Sequence, residues 1–160
     1  MADKRYVTYT IQAADDDGGE LHQRRVAVKT CNMLDYSRQT KMARDAVQWL
    51  REQAGYDINT AEDDEMDALD DHIVQVFNLA LRFRSRCLAA TAGWQERRGD
   101  GPWEDVNEPD DWTSIEGFAV NVPAAFCSLW LQAAEDMNPN LWTDSFDEPE
   151  KKSGSVSVNW

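Results

Sequence analysis

The side chains able to do chemistry are few and scattered. Two histidines, His22 and His72, and three cysteines, Cys31, Cys87 and Cys127, lie far apart in the chain. A structural zinc site usually announces itself by paired Cys-x-x-Cys spacing, which is missing here. An odd set of separated cysteines also argues against a disulfide framework and for buried free thiols in a reducing cytosol. Asp15-Asp16-Asp17-Gly18 has the look of a calcium loop. Counting back from the glycine, however, places Ala13 at the first ligand position and Arg24 where the closing glutamate belongs. Gly99-Asp100-Gly101 opens like a dinucleotide fingerprint, but Glu104 stands at the third glycine and no strand is expected before it. Cys87 and Cys127 fall on apolar helical stripes, where a thiol is an inert small hydrophobe. Paired carboxylates do acid–base work when burial splits their pKa values, and the acids here look solvated. The residues therefore predict no enzyme, no cofactor and no metal site.

Tryptophan is the residue that stands out. There are seven in 160 residues, in a chain with 30 acidic and 16 basic side chains and a net charge of −14. An indole covers a large apolar area and its N–H needs a partner, so it belongs in a core or at an interface anchor. Trp49, Phe77, Phe83 and Phe126 read as core. The partner-binding candidates are Trp103, Trp112, Phe118, Trp130, Met137 and Trp142. Core remains the commoner fate for each of them, and Trp112, Phe118 and Trp130 would equally well cover the end of a long helix. The negative charge disfavours nonspecific binding to nucleic acid or to an anionic membrane. It leaves a solubilising surface, a partner with a basic face, or mimicry of DNA. No apolar run reaches the roughly 20 residues of a membrane span, and the N-terminus lacks a signal-peptide pattern.

The elements that must position these residues follow from periodicity. Val7, Tyr9 and Ile11 alternate with Tyr6, Thr8 and Thr10, and Val26 and Val28 repeat that period beyond an acidic, glycine-bearing turn. This predicts a β-hairpin over 5–29. A helix over about 36–54 is expected, capped by Asp35 or Ser37, with Leu34 as a staple and Gly55 as its stop. The stripe Met66, Leu69, Ile73, Val76, Ala80, Phe83 and Cys87 steps by threes and fours. It predicts one long helix over 60–92, opened by Thr60 and Asp63 and ended at Gly93. The segment from Trp94 to Asp111 reads as a long connection. Shorter helices are expected over 113–119 and 123–137, the second opened by Pro123 and closed by Asn138-Pro139. The predicted fold class is mainly α with a small N-terminal β-hairpin (α+β), a long central helix being packed by shorter ones. One globular domain over 1–143 and a disordered tail over 144–160 complete the expectation.

Trp112, the Val122-Pro123 opening, Trp130 and Met137-Asn138-Pro139 form a pattern over Trp94 to Trp142. It resembles the tail assembly chaperones of long-tailed, non-contractile phages. In that family a helical body is followed by an acidic stretch with tryptophans and a proline-opened helix that closes on Asn-Pro. The resemblance covers about half the chain. It implies a helical protein of the host cytoplasm that binds the hydrophobic tape-measure protein and keeps it soluble while major tail protein subunits polymerise around it. It further implies absence from the finished particle, possible homo-oligomers, and a longer form made by ribosomal frameshifting, for which Lys151-Lys152 is a compatible position. No membrane and no direct nucleic-acid contact are implied. Two other readings remain open: an acidic DNA mimic that inhibits a restriction or CRISPR nuclease, and a structural component of the phage tail or head. Against mimicry, the sequence turns basic at Arg82, Arg84, Arg86, Arg97 and Arg98.

Overall fold

The computed structural model describes residues 4–12, 21–58, 68–140 and 142. The acidic turn at 13–20, the Thr60, Asp63 and Met66 positions and the 144–160 tail lie outside the described residues. Strands β1 (Lys4–Gln12) and β2 (His22–Lys29) pair antiparallel, Val7 facing Val26, with a bulge between Thr10 and Gln12. Helix α1 (Met33–Ala54) follows. Next comes a single helical rod in three parts: α2 (Asp71–Asn78), a π-helical stretch (Leu79–Arg84) and α3 (Ser85–Ala89). Strands β3 (Thr91–Arg98) and β4 (Glu104–Val106) complete a four-stranded antiparallel sheet of order β1-β2-β3-β4. Helices α4 (Asp110–Thr113), α5 (Ile115–Asn121) and α6 (Ala124–Met137) close the described chain.

This corrects the expected fold class. The β structure is a four-stranded sheet, not a small hairpin, and the expected 60–92 helix gives way to a strand at Thr91. The segment read as a loop carries most of β3 and all of β4. Its polar residues hid it: the alternation Gln95, Glu96, Arg97 has no apolar period, because these side chains bond across strands instead. Arg24 Nε donates to Glu96 Oε2 at 2.9 Å, Arg25 Nε to Gln95 Oε1 at 2.8 Å and Arg97 Nε to Gln23 Oε1 at 2.9 Å. Cross-strand pairs of this kind stabilise a ladder as apolar pairs do. The turn out of the rod lies at Ala90, well before Gly93. There the Thr91 hydroxyl donates to the Cys87 carbonyl at 2.7 Å, and the backbone N–H of Lys29 in β2 donates to the Ala90 carbonyl at 2.8 Å.

The π-helical stretch explains a second departure. A π turn admits an extra residue and rotates everything after it relative to an α-helical stripe. Val76 and Ala80 are buried as expected, Leu69 and Ile73 half so, but Phe83 is swung outward and is 36% exposed. Leu81 takes its place inside. The stretch also aligns Ser85, whose hydroxyl donates to the Leu81 carbonyl at 2.7 Å and accepts from Gln39 Nε2 of α1 at 3.2 Å.

Helix α1 starts earlier than its apolar stripe suggests. Asn32 is the cap: Asp35 N–H donates to its Oδ1 at 2.9 Å while Asn32 N–H donates to Asp35 Oδ2 at 3.0 Å, a reciprocal box. Leu34 is therefore inside the helix and 75% exposed, so it staples nothing. Gly55 does end α1, at φ 67°, with its N–H donating to the Arg51 carbonyl. Asp35 is itself buried and receives Lys29 Nζ at 2.9 Å and Arg38 Nη1 at 3.1 Å. Burial pushes its carboxyl pKa up, but the Asn32 backbone bond, Lys29 and Arg38 outweigh that and hold it below the ordinary value of 3.8.

Two apolar clusters hold the layers together. Ala43, Ala46 and Leu50 of α1 meet Phe77, Ala80 and Leu81 of the rod. The larger cluster lies under the sheet, where Val7, Val26, Val28 and Trp94 meet Trp112, Phe118, Phe126 and Trp130. Trp130 is fully buried. Its ring stands edge-on to Trp94 at 5.3 Å and 87°, and its Nε1–H donates to Thr91 Oγ1 at 3.0 Å. Asn138, the residue that ends α6, clasps the other side. It accepts from Cys31 N–H at 2.7 Å and donates through Nδ2 to the carbonyls of Ala134 and Lys29.

Trp130→Ala removes the ring that joins sheet, rod and α6, and should cost about 3–5 kcal/mol in urea unfolding. A loss under 1 kcal/mol would show that this ring is not central. Asp35→Asn tests the cap. Because the folded pKa lies below 3.8, its stabilisation is present above that pH and is lost as pH falls through the folded value. The variant should be weaker by about 1–3 kcal/mol at pH 7. That gap should shrink in denaturation curves taken below pH 4, and a pH-independent gap would contradict the pairing.

Candidate functional site

The expected partner-binding residues do not form one surface. Trp112, Phe118 and Trp130 are buried in the sheet-side core. Met137 and Trp142 are partly buried against the same cluster, and the Trp142 indole nitrogen is enclosed with no partner among the described residues. Trp103 sits elsewhere, on the far face of the sheet, with the Arg25 guanidinium 4.2 Å and the Arg97 guanidinium 4.8 Å from its ring centre. Of the six, Phe118 alone lines an apolar opening described below.

Three features could engage a ligand. A cleft of about 580 Å³ is lined by Arg38 and Met42 of α1, Arg84 of the rod, Trp94 of β3, and Glu108 and Asp110. Part of its polar lining is committed to the fold, while Arg84 Nη1 is enclosed with no partner among the described residues. Arg84 Nε donates to the Thr113 carbonyl at 2.7 Å, and Arg38 bonds Asp35 and the Leu88 carbonyl. Burial pushes the Arg84 pKa down, with the charges of Asp45 and Glu108 acting against it.

A second feature lies where β2 and β3 run side by side. His22 Nε2 is 3.0 Å from Glu96 Oε1, while Arg24 holds Glu96 Oε2 at 2.8 Å and lies over the Trp112 ring at 4.4 Å. Burial raises the Glu96 pKa, but the bonds from His22 and Arg24 and the Arg24 charge bring it below the ordinary value of 4.5. A carboxylate held ionised between two donors is a clamp joining strands, and it is poorly suited to accept a proton at neutral pH. Among the described residues no group of three or more His, Cys, Asp and Glu could hold a metal ion.

The third feature is apolar. Helices α5 and α6 meet at a 117° bend, and the π-helical stretch lies against that elbow. Between them runs an open groove of about 390 Å³ lined by Leu79, Phe83, Phe118, Val122, Cys127 and Leu131. Its walls come from local causes. The π turn brings Leu79 and Phe83 to the rim, Ser114 starts α5 by accepting from Gly117 N–H at 3.0 Å, and Pro123 breaks the backbone before α6. Gly117 has to be a glycine here: a Cβ would stand 2.5 Å from both the Asp111 carbonyl oxygen and the Ser114 hydroxyl. On α6 the buried stripe is Phe126, Trp130, Ala133 and Ala134, while Ala124, Cys127 and Leu131 form a second stripe toward the groove. That second stripe was visible in the sequence as an i, i+3, i+7 set. The rim residues of the rod were not, because the π turn is invisible to an α-helical period.

Cys127 lines this groove and meets the fully buried Cys87. A hydrogen bond from the Cys87 thiol stabilises the Cys127 thiolate and lowers its pKa, with partial burial opposing. Burial, and that same donated bond, push the Cys87 thiol up. Cys31 is raised to about 11 by burial and by Asp35, against Lys29 and Arg38.

Among the described residues no single helix is long and apolar enough to cross a membrane. No protein-family model, no curated protein and no solved structure matches the chain.

Alkylation reads the groove directly, since the thiolate is the reactive form. Brief iodoacetamide treatment at pH 8, followed by peptide mass spectrometry, should modify Cys127 first and Cys31 more slowly, and should leave Cys87 unmodified until the protein unfolds. Labelling of Cys31 ahead of Cys127 would contradict the arrangement at the groove.

Proposed function

We propose that the protein is a phage tail assembly chaperone that holds an apolar helical segment of the tape-measure protein in the groove between the π-helical stretch and the α5–α6 elbow. The groove is the observation that carries this reading. It is open, apolar on both walls and contains Phe83, a large ring left 36% exposed. Exposed apolar surface of this kind marks a partner site, and grooves between helices take the apolar face of an amphipathic helix through anchors at i, i+3 or i+4, and i+7. The net charge of −14 suits a holder of such a client, because it keeps the complex soluble. The tryptophans support the site from within: Phe118 forms the groove floor and packs on Trp130 at 5.9 Å.

Mimicry of DNA has less support. A mimic presents one sign of charge along a face, whereas the far sheet face carries Arg25 and Arg97.

Co-expression with a tape-measure fragment should yield a soluble complex that survives high salt, because screening weakens exposed ion pairs and leaves apolar contact intact. Phe83→Asp and Leu131→Asp should each weaken that complex at least tenfold, about 1.4 kcal/mol, with unchanged circular dichroism. Binding that ignores both substitutions, or a client that stays insoluble, would sink the proposal. Salt-sensitive binding to a nuclease instead would favour mimicry.

A further inference from the structure

The far face of the sheet, away from the buried tryptophans, carries an arrangement that the groove does not use. The register of β2 and β3 sets Arg25 opposite Gln95 and Gln23 opposite Arg97. Each arginine donates its Nε–H to the glutamine across from it, at 2.8 and 2.9 Å. Both guanidinium groups lie within 5 Å of the Trp103 ring centre, and Arg25 is also 4.0 Å from the Tyr6 ring centre. The result is a cluster in which two guanidinium groups lie against aromatic rings and glutamines hold their Nε edges. The Nη edges, the fork that fits a carboxylate, are left for something else.

Charge makes this notable. The chain has nearly twice as many acids as bases, and Arg5, Arg24, Arg38 and Arg51 each pair with a carboxylate. Arg25 and Arg97 form no ion pair among the described residues. Asp105, on the same face, is engaged instead by Gln95 Nε2 at 2.9 Å. Beside the cluster lies a trough of about 280 Å³ lined by the small residues Ala27 and Gly93 and by Lys4, Tyr6, Gln95 and the Gln95-held carboxylate of Asp105. An added Cβ at Gly93 would meet nothing within 4 Å, so the trough has room there.

We propose that this face is a binding site for an acidic, extended segment of a partner protein. Its carboxylates meet the forks of Arg25 and Arg97, and its chain continues along the trough toward Lys4. Stacking on Trp103 and Tyr6 strips water from one side of each guanidinium, which strengthens the bonds made at its edge. A protein segment fits better than a nucleic acid. Two forks and a lysine match a few carboxylates, whereas a phosphate backbone needs many cations and would meet a body of charge −14. At about 0.15 M salt the distant carboxylates are screened within roughly 8 Å, while the contact pairs persist. This site is separate from the apolar groove and does not depend on what occupies it.

The test uses the full-length protein and a fluorescein-labelled hexaglutamate peptide, read by fluorescence anisotropy at 0.15 M salt. Saturable binding is expected. Combining Arg25→Gln with Arg97→Gln should weaken it at least tenfold. Trp103→Ala, which keeps both charges, should weaken it severalfold. Arg25→Lys with Arg97→Lys should restore it only partly, because an ammonium cannot form the fork. Circular dichroism checks each fold, and Trp103→Ala serves as the probe if the double glutamine variant does not fold. Failure of the wild-type protein to bind, equal binding by the lysine and arginine forms, or tighter binding of a labelled oligothymidylate than of the peptide would overturn the proposal. Phe83→Asp should leave peptide binding unchanged, so failure here and failure at the groove are told apart.

Discussion

The architecture turns on one buried hydrogen bond, from the Trp130 indole N–H to the hydroxyl of Thr91. Thr91 is where the helical rod becomes a strand, and its hydroxyl simultaneously donates to Cys87 in the last turn of the rod. A single side chain thus ends a helix, begins β3 and satisfies the N–H of a fully buried indole. An indole N–H buried without a partner would be costly. The turn at Thr91 supplies the acceptor that this buried N–H needs. Trp94, three residues along β3, then meets Trp130 edge-on, and the remaining rings of the sheet-side cluster assemble around that contact.

Placing the rings inside changes what the outside can do. Trp112, Phe118 and Trp130 set the position of α5 and α6, and so shape a groove whose walls are smaller residues. The π-helical stretch supplies the opposite wall by turning Phe83 outward. An irregular turn inside a helix is a frequent mark of a functional position, and here its consequence is geometric: an aromatic ring that a regular helix would bury stands at the edge of an apolar opening. Trp103 has a different role. It is neither core nor an apolar anchor, but a ring against which two guanidinium groups lie.

The acidic character of the chain is unevenly distributed. Carboxylates such as Asp35 and Glu96 are drawn inward as clamps between elements, and both stay ionised through bonds from neighbouring cations. The far sheet face carries Arg25, Arg97 and Lys4 together with Asp105, which Gln95 holds. The surface thus differs from face to face, apolar at the groove and carrying cations at the sheet.

What could be determined from the sequence was whatever depended on neighbours along the chain. The alternation of Val7, Tyr9 and Ile11 with polar residues marked β1, the stripe through Ala43, Ala46 and Leu50 marked α1, and Pro123 and Asn138-Pro139 bracketed α6. Gly55 ended α1 because its positive φ is a local property. The rest was decided by contacts between distant residues. The strand over Thr91–Arg98 carries polar side chains whose partners, Gln23, Arg24 and Arg25, lie some seventy residues away, so no local period could reveal it. The π turn was equally hidden, since the apolar positions of 73–87 fit a regular α-helical period and carry no mark of an extra residue. For the site, the i, i+3, i+7 spacing of Ala124, Cys127 and Leu131 on α6 was present in the sequence, but that it borders an opening depends on Phe126 and Trp130 packing into the sheet-side core. A one-dimensional pattern identifies apolar residues; only the folded chain settles which of them remain open to a partner.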